Sequence, residues 1–417
     1  MSKAWPIVPI RAAYRGLFDG PHATPKPSDE GPVFLGIGNI TEDGHLDLAQ
    51  TKRISEDDFP RWTKRVLPQP GDIVFTYEAT LNRYAIIPNG FRGCLGRRLA
   101  LIRPNPDAVN TRWLHYYFFG PEWRAVVAAN TLSGATVERI PLSSFPDFPI
   151  RLPDLQTQRR IASVLSAYDD LIENNTRRIA ILEEMARRIY EEWFVRFRFP
   201  GHELDRPSWR NVQLGEIGII QTGPFGSQLH QSDYVDDGVP VTMPKDIALN
   251  RIDVSSIARI PEQLADQLGR HRMRSGDIVY GRRGDIGRKA FIGARQEGWL
   301  CGTGCLLIRP NPEQVAPRFL FDALGAPETL GLIKGRAKGV TMPNLSAGLM
   351  QSVPLSLPPR ELQDRYVMTV SPMVELLETL TERNRNLRAT RDLLLPKLIS
   401  GELDVSTLPE PEEAIAA

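Results

Sequence analysis

Two stretches of the chain are built on the same spacing of apolar positions. From Leu155 to about Phe197 there is no proline or glycine in 43 residues. Stepping alternately by four and three, the positions are Ile161, Leu165, Tyr168, Ile172, Asn175, Ile179, Leu182, Ala186, Ile189 and Trp193, nine of the ten apolar. That is the spacing of a coiled-coil seam. An unbroken run of this length predicts one helix about 65 Å long. Advancing by 205 gives Tyr366, Val370, Met373, Leu377, Leu380, Asn384, Leu387, Arg391, Leu394 and Leu398, eight of ten apolar. Elsewhere the pattern changes. Residues 1–150 and 206–356 carry short apolar runs such as Asp72-Ile-Val-Phe-Thr-Tyr77, Leu99-Ala-Leu-Ile102, Asp277-Ile-Val-Tyr280 and Cys305-Leu-Leu-Ile308. Bounded by turn residues, these predict short strands, with a helix or two between them over Arg112–Ala129. The fold class is α+β.

The same offset runs through the strand-rich parts. Gly71-Asp-Ile-Val74 recurs as Gly276-Asp-Ile-Val279, and Ile102-Arg-Pro-Asn-Pro106 as Ile308-Arg-Pro-Asn-Pro312. Gly134-Ala-Thr136 corresponds to Gly339-Val-Thr341. Leu152-Pro153 with Gln158 and Arg160 corresponds to Leu357-Pro358 with Gln363 and Arg365. Four anchors in one order at nearly one offset, 205 or 206 residues, mean two copies of a unit of half the chain. The organisation is therefore a first α+β domain (1–150), a central helical region (151–205), a second α+β domain (206–356) and a C-terminal helical region (357–404). An acidic, proline-broken tail (405–417) is expected to be disordered.

Two matching apolar seams pack most simply on each other. If the helices run antiparallel about a pseudo-two-fold, facing residue numbers add to 559, so Asn175 meets Asn384. Two meeting amides can hydrogen-bond and fix register, whereas a lone buried Asn only costs stability. The alternative, that both amides lie at a wet edge, stays open at this stage.

Composition removes several function classes. The 51 basic and 50 acidic residues leave a net charge of +1, so no polyanion binder is visible in bulk charge. Gly and Pro, 33 and 35 residues, are enriched as short strands and turns require. No apolar run reaches the ~18 residues of a membrane span, and the N-terminal residues lack the apolar core of a secretory signal. Cys94, Cys301 and Cys305 cannot build a disulfide framework. These features point to a cytoplasmic protein. No P-loop or dinucleotide spacing, Gly-x-Ser-x-Gly elbow or zinc-ligand pattern occurs, so neither catalysis nor a resident metal is expected.

What remains is recognition. The basic surplus lies wholly in the two α+β domains, 17 against 15 and 18 against 14, while the helical and tail segments are net acidic. It clusters at Lys52-Arg53, at Arg61, Lys64 and Arg65, at Arg97-Arg98, at Arg282-Arg283 with Arg288-Lys289, and at Lys334, Arg336 and Lys338. Arg beside Gly or aromatic residues suits phosphate contact and bidentate base reading. Any single one of these side chains is equally a solvated surface charge. As a set mirrored in two related domains they favour nucleic acid, and two readers held apart suit two half-sites along one face of a duplex.

At this point the residues resemble a known family, the specificity subunits of type I restriction–modification systems. The resemblance covers about Gly20 to Leu403. Its carriers are Leu152-Pro-Asp-Leu-Gln-Thr-Gln-Arg-Arg-Ile-Ala-Ser-Val-Leu165, Tyr190-Glu-Glu-Trp-Phe-Val-Arg-Phe-Arg-Phe-Pro-Gly201 and Leu395-Pro-Lys-Leu-Ile-Ser-Gly-Glu-Leu403. Leu214-Gly-Glu-Ile followed by Gly223-Pro-Phe-Gly-Ser-Gln-Leu229 resembles the entry to a target-recognition domain, with Gly20-Pro-His-Ala-Thr24 a weaker counterpart.

The resemblance implies a non-catalytic subunit with two target-recognition domains, each reading one half of a bipartite, asymmetric DNA target. It implies Ser227 and Gln228 as further DNA-binding candidates. It implies two modification subunits that bind S-adenosylmethionine and methylate adenine, docked on the helices with Trp193, Phe194 and Phe197 as candidate contacts. It also implies two ATP- and Mg-dependent restriction subunits, with no cofactor in this chain. Three other readings stay open: a specificity subunit served by a fused methyltransferase–nuclease, a coiled-coil adaptor for proteins, and an enzyme whose centre is not apparent in sequence.

Overall fold

A computed structural model describes residues 5–49, 51–132, 137–201, 209–225, 228–337 and 344–408. Two compact units divide the chain: Met1–Thr176 with Thr381–Ala417, and Arg177–Leu380. Each unit therefore contains one α+β domain and a segment of each long helix.

In the first unit, Ile7–Pro9 pairs antiparallel with Pro149–Arg151. A four-stranded antiparallel sheet has the order Tyr14–Asp19, Leu99–Pro104, Ile73–Thr76, Tyr84–Ile86. In a second sheet, Ser28–Leu35 lies between Lys52–Arg53 and Gly93–Leu95, antiparallel to the former and parallel to the latter. The expected helical stretch Arg112–Ala129 resolves into two helices, Thr111–Tyr117 and Pro121–Ala129. Gly120-Pro121 divides them, because Pro starts a helix readily and cannot continue one. The core is aromatic: Trp113, Trp123, Tyr84, Phe75, Phe118 and Phe145 are fully buried.

The second unit repeats this plan. Arg210–Gln213 pairs with Pro354–Leu357, and the four-stranded order is Gly218–Thr222, Cys305–Pro310, Ile278–Gly281, Lys289–Phe291. Val239–Thr242 lies between Ala258–Ile260 and Leu300–Cys301, again antiparallel to one and parallel to the other. A small hairpin, Ile247–Ala248 with Arg251–Ile252, is added. Cys301 and Cys305 fall in different sheets.

The repeated motifs hold this frame. Asp72 and Asp277, each 2% exposed, accept bidentate bonds from Arg103 and Arg309. The two recurring motifs are thus the two ends of one ion pair, a buried acid and a half-buried arginine, present once in each unit. Gly71 and Gly276 turn the chain before the acid at φ +87° and +90°, a region that favours glycine. Gln158 donates to the Pro153 carbonyl at 2.8 Å and accepts the Asn110 N–H at 2.7 Å. Gln363 likewise donates to the Pro358 carbonyl at 2.8 Å and accepts the Ala316 N–H at 2.9 Å. Each ties the start of a long helix to its own domain. The Gly134 and Gly339 anchors lie outside the described residues.

The long helices are Leu155–Tyr190, closed by a π turn at Glu191–Val195, and Arg360–Ile399. Every seam position predicted on both is buried or half-buried. In the first unit Asn175 donates to Asn384 Oδ1 at 2.9 Å, and Asn384 donates to Thr176 Oγ1 at 3.1 Å and the Ile172 carbonyl at 3.2 Å. Both amides are buried, so the wet-edge alternative fails. Arg391, the other polar exception in the second seam, meets Asp169 at 2.7 Å. In the second unit Trp193 lies against Tyr366, ring centroids 6.0 Å apart. Pairings of 175 with 384 and 193 with 366 fit the antiparallel register. Beyond the helix, Val405 is buried in the first unit's core, and the Leu408 N–H bonds its carbonyl at 3.1 Å. The disordered tail expected from Val405 therefore begins too early, because an apolar side chain still finds core to fill there.

Candidate nucleic-acid interface

One junction recurs in both units. In the first, the strand Ile73–Thr76 runs out through Tyr77-Glu78 beside the turn Gly96-Arg97-Arg98. The Tyr77 N–H bonds the Arg98 carbonyl at 3.3 Å, the Ile140 N–H bonds the Tyr77 carbonyl at 2.8 Å, and the Glu78 backbone pairs with that of Arg139 as an isolated antiparallel β-bridge. In the second, the Arg282 N–H bonds the Gly304 carbonyl at 3.0 Å, the Leu345 N–H bonds the Arg282 carbonyl at 2.9 Å, and Arg283 bridges to Asn344. Tyr77 and Arg282 are thus equivalent positions, as are Arg98 and Gly304. The candidate pairs Arg97-Arg98 and Arg282-Arg283 stand at the same place in the fold, carried by opposite strands.

Two glycines let the chain cross this junction. Gly20 and Gly223 bond the carbonyls of Leu99 and Cys305 at 2.9 and 3.0 Å. A Cβ on either would lie 2.1 or 2.0 Å from the carbonyl oxygen of Gly96 or Gly302. The Gly-Pro motifs are therefore required by close backbone approach.

The arginines here are short of acceptors. Arg98 Nε and Arg282 Nε are buried with no hydrogen-bond partner among the described residues. Arg282 is 7% exposed and spends Nη1 on Asn344 Oδ1 at 3.2 Å. Burial, then the neighbouring Arg283, lowers its pKa. A buried donor without an acceptor is costly, and an anionic acceptor gives the strongest bond to a guanidinium. Tyr77, its phenol pushed up by burial to about 12, donates to the Arg97 carbonyl at 3.0 Å.

The other candidates are distributed differently. Lys52, Arg53, Arg61 and Lys64 are exposed over a small core of Ile54, Trp62 and Cys94. Arg53 donates to the Gly31 carbonyl at 2.7 Å. Arg65 is compensated by Asp19 at 2.6 Å. Gln228 closes a local turn on Phe225 at 2.8 and 3.3 Å. Lys334 is exposed, and Arg336 bonds its own helix at the Leu332 carbonyl, 3.1 Å. Ser227 and Lys338 lie outside the described residues.

Of the candidate partner contacts, Phe194, in the π turn that closes the helix, is buried against Phe319 and Tyr366 and serves the core. Trp193 is half-buried beside it, and Phe197 is exposed next to Trp209. Sequence reading did not single out Lys289 by itself; its 205-residue equivalent, the buried Tyr84, is the signal that marks it. Among the described residues no group of three or more His, Cys, Asp or Glu side chains is placed to hold a metal, and no helix is long and apolar enough to cross a membrane.

Comparison with known proteins agrees with this geometry. The family model described as the type I restriction modification DNA specificity domain matches residues 29–184 and again 207–389. The specificity subunit of the type I restriction enzyme MjaIX of Methanocaldococcus jannaschii is 24% identical, over 86% of this chain and 83% of that protein. The HindI specificity subunit of Haemophilus influenzae is 23% identical, over 89% and 94%. The crystal structure of the type I restriction–modification S subunit from M. genitalium superposes with a TM-score of 0.60 at 17% identity, covering 94% of this chain and 96% of that one. With the family model matched twice, once in each copy of the repeat, this chain belongs to the type I restriction–modification DNA specificity family.

Proposed function

We propose that each α+β domain reads one half of a bipartite, asymmetric DNA target, and that the chain carries recognition without catalysis. The observation that supports this is one frame built twice with different residues at the same junction: Tyr77, Arg97 and Arg98 in one copy, and Arg282, Thr303 and Gly304 in the other. A shared frame orients both domains on duplex in one manner, while different side chains at the junction read different bases. The paired helices then set the spacer and dock two modification subunits that bind S-adenosylmethionine and methylate adenine. Two ATP- and Mg-dependent restriction subunits join that core.

Base-resolution mapping of adenine methylation tests the reading, in cells carrying this chain with its modification subunit and in cells lacking the chain. The expected result is a two-part, non-palindromic motif with a fixed spacer that disappears with the chain. A palindromic motif, or one that persists without the chain, would sink it.

A further inference from the structure

Lys289 is 4% exposed, yet no carboxylate bonds it among the described residues. Among the described residues its Nζ makes one long hydrogen bond, 3.5 Å to Asn250 Oδ1, and stands 3.4 Å from the centroid of the Phe321 ring. Asp322, whose charge is felt there, is already held by Arg318 at 2.9 Å and by the Tyr366 hydroxyl at 2.8 Å. A buried ammonium without a paired anion is expensive. Burial accordingly pulls this lysine down to about 7.

The side chain borders a cleft of about 270 Å³ within the second unit. Arg288 and Lys334 line the same cleft, and its carboxylate, Asp285, is taken by Arg288 at 3.0 Å. Its walls are held in uncommon backbone conformations. Leu249 and Asn250 both adopt positive φ, +48° and +59°, and Gly287 stands at +124°. Non-glycine residues held this way cost energy and cluster at functional sites.

The first unit is built otherwise at this position. Tyr84 pairs with Phe75 as Lys289 pairs with Tyr280, in matching strands. The Tyr84 ring stacks on Phe118 at 4.7 Å, and its hydroxyl accepts the Trp123 Nε1 proton at 2.8 Å.

We propose that this cleft seats a phosphate group, held by Lys289 at its floor and by Arg288 and Lys334 at its rim. The volume suits a phosphate with an attached sugar better than a complete cofactor. The phosphate comes from the DNA backbone or from a free phosphate, and only the first source rests on the DNA reading above. Seating an anion restores the full charge of Lys289, so binding takes up a proton above pH 7 and weakens as pH rises.

The test is calorimetry on the full-length chain at pH 6.5 and 8.0, in buffers of different ionisation heat, titrated with inorganic phosphate and separately with target duplex. For phosphate, proton uptake at pH 8.0 is expected, and about tenfold weaker binding in Lys289→Met and in Lys334→Ala. Lys334 is exposed, so its variant reports even where Lys289→Met folds poorly.

For duplex, a DNA source lowers the slope of log affinity against log salt by about one in each variant. Phosphate binding with proton uptake but unchanged duplex binding assigns the cleft to free phosphate and upholds it. Phosphate binding at Lys289 in a chain that binds no duplex upholds the cleft while the DNA reading falls. No proton uptake, with neither ligand affected by either variant, overturns the proposal.

Discussion

Where the first unit seats Tyr84 among Phe118, Phe119 and Trp123, the second places Lys289 against one ring, Phe321, beside an open cleft. Twelve positions earlier in both units, Asp72 with Arg103 and Asp277 with Arg309 make the same ion pair with nearly the same distances. Both comparisons concern one sheet. The residues kept between the copies hold strand to strand and domain to helix, and the residues that differ face the junction and the cleft. Duplication followed by divergence leaves its mark this way when a frame must persist while what it presents changes. The repeat anchors found in sequence are therefore the wrong place to look for specificity.

The comparison breaks most sharply at the shared pair. Asp72→Asn and Asp277→Asn each leave an arginine without its counter-charge beside a buried amide, at a cost of about 3 kcal/mol. The two losses should match to within about 0.5 kcal/mol, read by denaturant unfolding of the full chain with probes in each unit. If one variant loses far more than the other, the frames are not equivalent.

A smaller effect sharpens the helix register. Asn384→Leu alone strips Asn175 of its partner and should cost about 2 kcal/mol. Asn175→Leu with Asn384→Leu removes both polar groups and should return stability close to that of the parent, as apolar replacement of a buried pair does. Near-additive losses in the double variant would mean that the amides do not act on each other.

The recognition junction is the next test. Arg97→Ala with Arg98→Ala should weaken duplex binding about tenfold and relax discrimination in one half-site only; Arg282→Ala with Arg283→Ala should do the same in the other. Competition with duplexes altered in each half decides it. Loss spread evenly over both halves would make these residues backbone contacts rather than readers.

How much of this the sequence shows depends on the distance over which each interaction acts. The seams are local periodicities, and Asn175 and Asn384 stand out as polar exceptions placed symmetrically, so helices and register are both legible. Asp72 and Arg103 are visible as repeated residues, but their pairing spans 31 positions and needs the strand register. Arg282 reads as an ordinary surface arginine until the sheet places it opposite Gly304 and buries it. The split at Gly120-Pro121 was available from proline chemistry alone. Lys289 is hidden for the same reason as Arg282: its neighbour Asn250 comes from a hairpin 39 positions away, and burial decides its character.

The cleft lysine gives the comparison its smallest and most selective test. Its folded pKa of about 7 lies below the unfolded lysine value of about 10.4. Between these limits the unfolded chain binds a proton that the folded second unit lacks, so stability rises with pH. The window closes near pH 8.5 from above, because unfolded cysteines begin to ionise there while the hydrogen bond with Cys301, then burial, keeps the Cys305 thiol protonated, a contribution of opposite sign that offsets the slope. It is clear of histidine from below, since His271 is held down to about 4 by burial and differs from its unfolded state only beneath about pH 6.5. Unfolding of the second unit between pH 7 and 8.5 should therefore show a positive slope of about 1 kcal/mol per pH unit, absent from Lys289→Met. The first unit, with Tyr84 in that place, should show no change in slope between the two proteins. An equal slope in Lys289→Met would mean that the lysine keeps its charge in the folded state, and the burial contrast between the two sheets would lose its electrostatic meaning.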